Sequence, residues 1–588
     1  MTGIRYTFLL TSLANLLMVG CSGESQQIAD TAAAPDVPSA DLVLRGGIVA
    51  TIDPALGTTE AIAISGYRIA ATGTNDEISA YIGPETEVIE LNGRFAMPGF
   101  IEGHGHFMGL GRSKQILDLT NVSNWDEIVA MVASAVDETQ PGEWIFGRGW
   151  HQEKWDSVPE DGVDGVPRNA TLNAVSPNNP VSLTHASGHA GFFNDAALQA
   201  ADIGDGTPDP PGGTIVRAPD GRATGLMRET AQRLLNEAIR TYEGQLTPDE
   251  IDLIDRERVM LAGDEALAQG VTSFHDAGSS FQTIEFFKKL EEEANLPIRL
   301  YVMVRESNEA MAEALPEYKM LPEGNDYLTV RSIKRQIDGA LGAHGAWLLE
   351  PYADLPESNG LVLEAVQDIE RTAEIAVQHG FQVNTHAIGD RGVRETLDLY
   401  ERVWAELGAD GQLLRWRIEH SQHIDPVDVP RFGGLGVIAS VQAIHGTSDG
   451  PWIPTRLGDE RAKSTSQPWR DLIDTGAVIT NGTDVPVEPI SALSSYYASV
   501  SRMMIDGRRF YPEHVMTREE GLAAYTINNA IAAFEENDKG TLTPGKYADI
   551  VVLSQDLRTV AEEQIPETTV DITIVGGEVK YTREAGNY

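Results

Sequence analysis

Two histidines one residue apart, His104 and His106, close the stretch RFAMPGFIEGHGHF at residues 94–107. Phe95, Ala96 and Met97 read as a short apolar strand that Pro98-Gly99 interrupts and Phe100-Ile101 resumes. Along an extended segment residues i and i+2 share a face, so both imidazoles can converge on one ion. Neutral imidazole is the commonest metal ligand near neutral pH, and Gly103 and Gly105 leave room for an ion and a substrate against the backbone. One H-x-H alone is a weak signal. It gains weight from His386, His420 and Asp484, each near the end of another apolar run. Together these side chains could hold one or two divalent ions. Asp484 could also take a proton from water whose pKa such an ion lowers to about 7.

Other residues are open to two readings. His445 follows the seventh strand and could bind substrate or polarise a carbonyl, or equally pack in the core. Trp150 and His189 lie in a long insertion and could line a pocket from above, although a Trp is commonly core. His423, three residues after His420, competes with it as a ligand; His275 reads as structural, and Asp338 as a group that orients its neighbours.

Positioning these residues requires a frame, and the chain supplies a strand-then-helix rhythm. After the opening stretch come strand candidates at 270–278, 298–304, 332–338, 381–390, 415–424, 436–445 and 477–487. With the first they make eight, the number that closes a (β/α)8 TIM-like barrel of the α/β class, whose function sits at the carboxyl ends of the strands. Short alternating strands at 41–93 and again at 540–588 predict a small β-sandwich built from both ends of the chain, with the barrel at 94–539 between them. Residues 113–264 are too long for one crossover and read as an inserted subdomain, with a hairpin around Pro219-Asp220-Gly221.

With 88 acidic and 44 basic residues in 588, the net charge of −44 excludes a nucleic-acid partner and adsorption of side chains onto anionic lipid. Residues 1–21 carry a basic start and an apolar run too short to span a bilayer. Their end, Met18-Val19-Gly20-Cys21, resembles a bacterial lipobox. Cys21 is the only cysteine, so no internal disulfide forms. The expectation is an exported protein, lipid-anchored at Cys21 through a flexible tether at 22–40, at the outer membrane or periplasm, touching membrane only through that anchor. A simply cleaved secretory signal is the alternative.

PGFIEGHGH, THAIGD, RIEH, NGTDVPVEP and GTLTPGKYADIVVLS together resemble the amidohydrolase superfamily of metal-dependent hydrolases. GRGWHQEKW, SGHAGFFNDAAL, IKRQIDGALGAHGAW and YTINNAIAAFEENDKGTL are similar to its family 3, the YtcJ-like branch that includes N-substituted formamide deformylases. The resemblance implies that His104 and His106 bind a more buried metal and His386 and His420 a more exposed one. Asp484 would be ligand and base. Lys334 would be carboxylated and bridge the ions if there are two, zinc being the expected metal. Gly103 stands where serine is frequent, a difference expected to matter little. The implied activity is hydrolysis of a C–N bond in a small amide-type substrate, N-acyl or N-formyl. Lactone or ester hydrolysis at the same centre, an inactive binding barrel and a purely structural metal are the rivals; a homodimer is open.

Overall fold

The computed structural model describes residues 38–152, 155–157, 162–163, 166–186, 188 and 190–583. The expectations for the leader, Cys21, nearly all of the tether and His189 lie outside these residues.

Eight parallel strands form one sheet in sequential order: β1 (Phe100–Gly105), β2 (Val271–Ser279), β3 (Arg299–Val304), β4 (Leu328–Gln336), β5 (Gln382–Ala387), β6 (Arg417–His420), β7 (Ile438–Val441) and β8 (Ile479–Asn481). Most of their residues are buried, as expected when helices cover a parallel sheet and its interior is filled by side chains. Each expected barrel strand is present. The ring closes between β1 and β8 by backbone contacts just past their ends: Asp484 N–H donates to His104 O at 2.8 Å and His106 N–H to Val485 O at 2.8 Å. Lower down, the Asn529 amide donates to Ile101 O (2.7 Å) and Asn481 O (3.0 Å), clasping the first and last strands. A Cβ on Gly103 would lie 2.5 Å from Asn481 O. The glycine expected to be inconsequential is therefore required by the tightness of this seam.

Both ends of the chain build the sheets beside the barrel. Phe95–Pro98, directly before β1, pairs in parallel with Ile48–Ala50 and antiparallel with Ile550–Leu553. The latter strand is buried on both faces. Ile550 and Val552 join Leu42, Leu44, Val49 and Ile62 in the sandwich core, while Val551 and Leu553 face the barrel core.

The insertion after β1 carries its own mixed six-stranded sheet, in the order Gly213–Arg217, Ala223–Glu229, Ala190–Phe193, Val181–His185, Ile145–Trp150, Leu117–Asp118. Its expected end near 264 falls inside one continuous helix, Pro248–Ala268, started by a Thr247–Glu250 capping box. This helix lies against Phe107–Lys114 so closely that a Cβ on Gly111 would meet Arg258 O at 2.0 Å. It therefore packs with the barrel, and the inserted sheet ends at Glu229.

Candidate metal centre

His104 on β1, His420 at the end of β6 and Asp484 just past β8 converge, each offering a ligand atom within 4.8 Å of the other two. Strand-end geometry brings them there. His420 (φ +74°) and Asp484 (φ +59°) adopt left-handed backbone, which is strained for residues with a side chain and is commonly kept at functional sites. His106 Nε2 lies 3.2 Å from Asp484 Oδ1. The His386 ring sits 4.3 Å from that of His420, and its Nε2 is 3.5 Å from Asp338 Oδ1. Lys334 Nζ on β4 is 3.2 Å from His104 Nε2. The tightest trio thus mixes the two expected ligand pairs. His106, expected on the more buried ion, is the most open of the four histidines at 37% side-chain exposure, because it stands beyond the strand as the N-cap of helix Phe107–Lys114.

A second layer of polar groups fixes these side chains. His104 Nδ1 meets Glu419 Oε2 at 2.5 Å, and His420 Nδ1 meets Gln442 Oε1 at 2.7 Å. Each contact engages Nδ1 and turns Nε2 inward, the arrangement that ligating histidines usually show. Asp338 accepts N–H bonds from Trp347 (2.9 Å), Ile388 (3.0 Å) and Gly389 (2.8 Å), fixing the turn after β5. Glu102 accepts from Thr483 N–H (2.5 Å) and Oγ1 (3.1 Å), placing the residue before Asp484.

Charge favours an ion as well. Burial, reinforced by neighbouring histidines and Lys334, pushes His386 and His420 well below the usual imidazole range, and burial with Lys334 lowers His104. Burial alone would raise the Asp484 carboxyl, but the contact with His106, helped by the neighbouring His104 and His420, holds it well below the usual range. Glu419 is likewise held at about 2, mainly by His104 against its own burial. Burial brings the Lys334 ammonium down to about 8. Neutral imidazoles and an ionised carboxylate are the forms that bind metal. His386 Nε2 and Asp484 Oδ1 are buried with no hydrogen-bond partner, the condition an ion would relieve. The residues fit a divalent cation.

The remaining candidates divide. His445 follows β7 with its ring 6.5 Å from His420; Nδ1 meets Gln422 and its buried Nε2 has no hydrogen-bond partner, so it borders the centre. Trp150, expected at the pocket, is 1% exposed in the insertion's own core and donates its indole N–H to Leu183 O. A β-bulge at Gly149 turns it inward, and the one signal for it in the sequence was that isolated glycine within the strand. His423 bonds Ser466 at 3.0 Å and His275 contacts Arg417 at 3.1 Å; both stand apart from the trio. Glu419 and Gln442 escaped sequence reasoning. The signal for Glu419 was a carboxylate beside a candidate ligand inside RIEH.

Residues 87–581 match the amidohydrolase family. LONG AFTER FAR-RED 3 of Arabidopsis thaliana is 32% identical over 555 residues, 92% of each chain. The Bacillus subtilis (strain 168) protein YtcJ is 28% identical over 92% of this chain and 99% of its own. The N-substituted formamide deformylase of Arthrobacter pascens is 26% identical over 92% and 98%. The crystal structure of an uncharacterized metal-dependent hydrolase from Pyrococcus horikoshii OT3 superposes with a TM-score of 0.71 at 26% identity, covering 89% of this chain and 99% of that one. A family match over most of the chain, coinciding with a histidine–aspartate cluster at the barrel's carboxyl end, makes this chain a member of the amidohydrolase family and a hydrolase.

Proposed function

We propose that the protein hydrolyses the C–N bond of a small amide-type substrate, N-acyl or N-formyl, and that His104, His106, His386, His420 and Asp484 would hold the metal, zinc being expected, with carboxylated Lys334 as a further ligand should two ions bind. The observation that carries this reading is the convergence of His104, His420 and Asp484, with Asp484 Oδ1 buried and lacking a hydrogen-bond partner. Nitrogen and carboxylate donors suit zinc. A divalent ion at this place supplies Lewis acidity, polarising a carbonyl and making water nucleophilic near neutral pH.

The chain's own residues do the rest. Asp484, ionised and facing His106, receives a proton at a carboxylate oxygen from the attacking water and returns it to the departing nitrogen. His445, with Nε2 unengaged at the edge of the centre, can donate a hydrogen bond to the substrate carbonyl oxygen. Glu419 and Gln442 keep the imidazoles in one orientation throughout. The amide class is supported by likeness to the Arthrobacter deformylase. Export and attachment through Cys21 remain part of this proposal, motivated by the leader's residues alone.

The test is a screen of zinc-loaded protein against N-formyl and N-acyl amines, N-acyl amino acids, ureas, esters and lactones. Release of amine, lost on chelation and restored by zinc, is expected. Turnover confined to esters and lactones would move the assignment to the C–O bond.

A further inference from the structure

One arginine of the insertion lies on the face of its sheet that turns toward the barrel. Arg148 lies on the strand Ile145–Trp150, beside Thr184 of Val181–His185 and Asp118 of Leu117–Asp118. Its neighbour two residues back, Phe146, shares its face of the sheet. Phe146 packs 5.3 Å from the Arg112 guanidinium, on the helix that begins directly after His106. That face therefore looks at the barrel's carboxyl end. The opposite face, with Ile145 and Leu183, is the insertion's core.

A β-bulge separates the two roles. Strand register shifts between Arg148 and Trp150, and Gly149 sits at φ +110°. A Cβ there would lie 2.5 Å from Thr120 Cγ2, so only glycine fits. Without the extra residue Arg148 and Trp150 would share a face; with it Trp150 enters the core and Arg148 stays at the mouth. Bulges beside active sites commonly re-aim a side chain in this way.

The guanidinium is half-buried and incompletely partnered. Nη2 donates to Ala186 O at 3.0 Å, its one side-chain hydrogen bond among the described residues, and no carboxylate there forms an ion pair with it. Burial weakens its charged form, and the one ionised group that acts against this is Asp484. A desolvated cation without a paired anion is unfavourable, and a ligand's anion relieves it. The planar fork of Arg suits a carboxylate in particular.

We propose that Arg148 is a substrate-binding residue that anchors a carboxylate, so that the substrate is an N-acyl or N-formyl amino acid or a similar anionic amide, held by its carboxylate while its carbonyl lies at the His104–His420–Asp484 centre. This rests on the amide-hydrolase reading. It makes the insertion the source of specificity and the barrel the source of chemistry.

Binding separates the two claims, because it needs no turnover. The zinc-loaded full chain and its Arg148→Gln and Arg148→Lys variants are titrated with N-acetylglycine and with the neutral N-acetylglycinamide, by calorimetry or ligand-observed NMR. Wild type is expected to prefer the carboxylate about tenfold or more, Arg148→Gln to lose that preference, and Arg148→Lys to keep part of it. Zinc content and the circular dichroism spectrum confirm that each variant is folded. In turnover, Arg148→Gln should raise KM for N-formyl amino acids with kcat little changed and leave their amides unaffected. Equal binding of both probes by wild type, or a preference unchanged in folded Arg148→Gln, overturns the assignment. So does a shift confined to the pH profile of kcat, which would mean that Arg148 serves only to bias Asp484. If no amide is hydrolysed at all, the amide-hydrolase reading fails while the binding preference still reports on Arg148.

Discussion

At Asp484 one carboxylate faces His106 and offers a ligand atom within 4.8 Å of those of His104 and His420, and the proposal gives proton transfer and metal holding to this same group. Substitution separates them. Asp484→Asn keeps the volume and one oxygen but cannot accept a proton, and kcat is expected to fall by about 10² to 10⁴ with KM and zinc content nearly unchanged. Plasma emission on the dialysed variant checks the metal. Loss of zinc together with rate, reversed by excess zinc, would assign Asp484 to holding the ion, and full metal with near-normal turnover would remove it from the chemistry. Lys334 poses a different question. Its Nζ is 3.2 Å from His104 Nε2, and burial brings it to about 8, where the neutral amine that reacts with carbon dioxide is accessible. Remetallated wild type should approach two divalent ions per chain and Lys334→Ala should lose at least one. A stoichiometry of one, the same in both, would mean a mononuclear centre.

The elements that carry these residues show what residue patterns can convey. The run IRLYVMV at 298–304 was legible as a barrel strand because a parallel strand covered on both faces is mostly apolar, whereas FQVNTHAIGD at 381–390, with Gln382, Asn384 and Thr385, was legible mainly from its place in the strand-then-helix rhythm. Histidines at the ends of such runs then become neighbours by topology alone. What could not be read was any feature set by a single backbone irregularity or by packing between distant segments. The bulge at Gly149 puts Trp150 in the insertion's core and leaves Arg148 on the opposite face. The inserted segment ends before a helix whose partner, Phe107–Lys114, lies more than a hundred residues earlier. Glu419 acquires its role only when β6 lies across the barrel from β1. The seam between β1 and β8 gives a prediction at this scale. Asn529→Ala removes both donors that clasp Ile101 O and Asn481 O, leaving two buried carbonyls without that partner. Stability should fall by about 2–4 kcal/mol, seen as a lower urea midpoint of the zinc-loaded protein. An unchanged midpoint would show that the backbone contacts of His104 and His106 close the ring unaided.

For the whole molecule, a formal net charge of −44 opposes binding to nucleic acid and to anionic bilayers, and the proposed association with membrane needs another device. The proposed device is acylation of Cys21. Cys21→Ala should leave an uncleaved precursor or release the protein from the membrane fraction, as read by fractionation and mass measurement of the amino terminus. A variant processed normally and still sedimenting with membranes would refute it. One feature of the fold bears on the proposed export. Phe95–Pro98, the strand that feeds β1, is flanked on one side by Ile550–Leu553, more than four hundred residues later. The six-stranded sheet to which it belongs takes three of its strands from 550–582 and cannot be completed before they are available, and long-range pairings of this kind form slowly. Until then the strand that feeds the barrel lacks one of its two neighbours, which would delay completion of the final fold until after the proposed export.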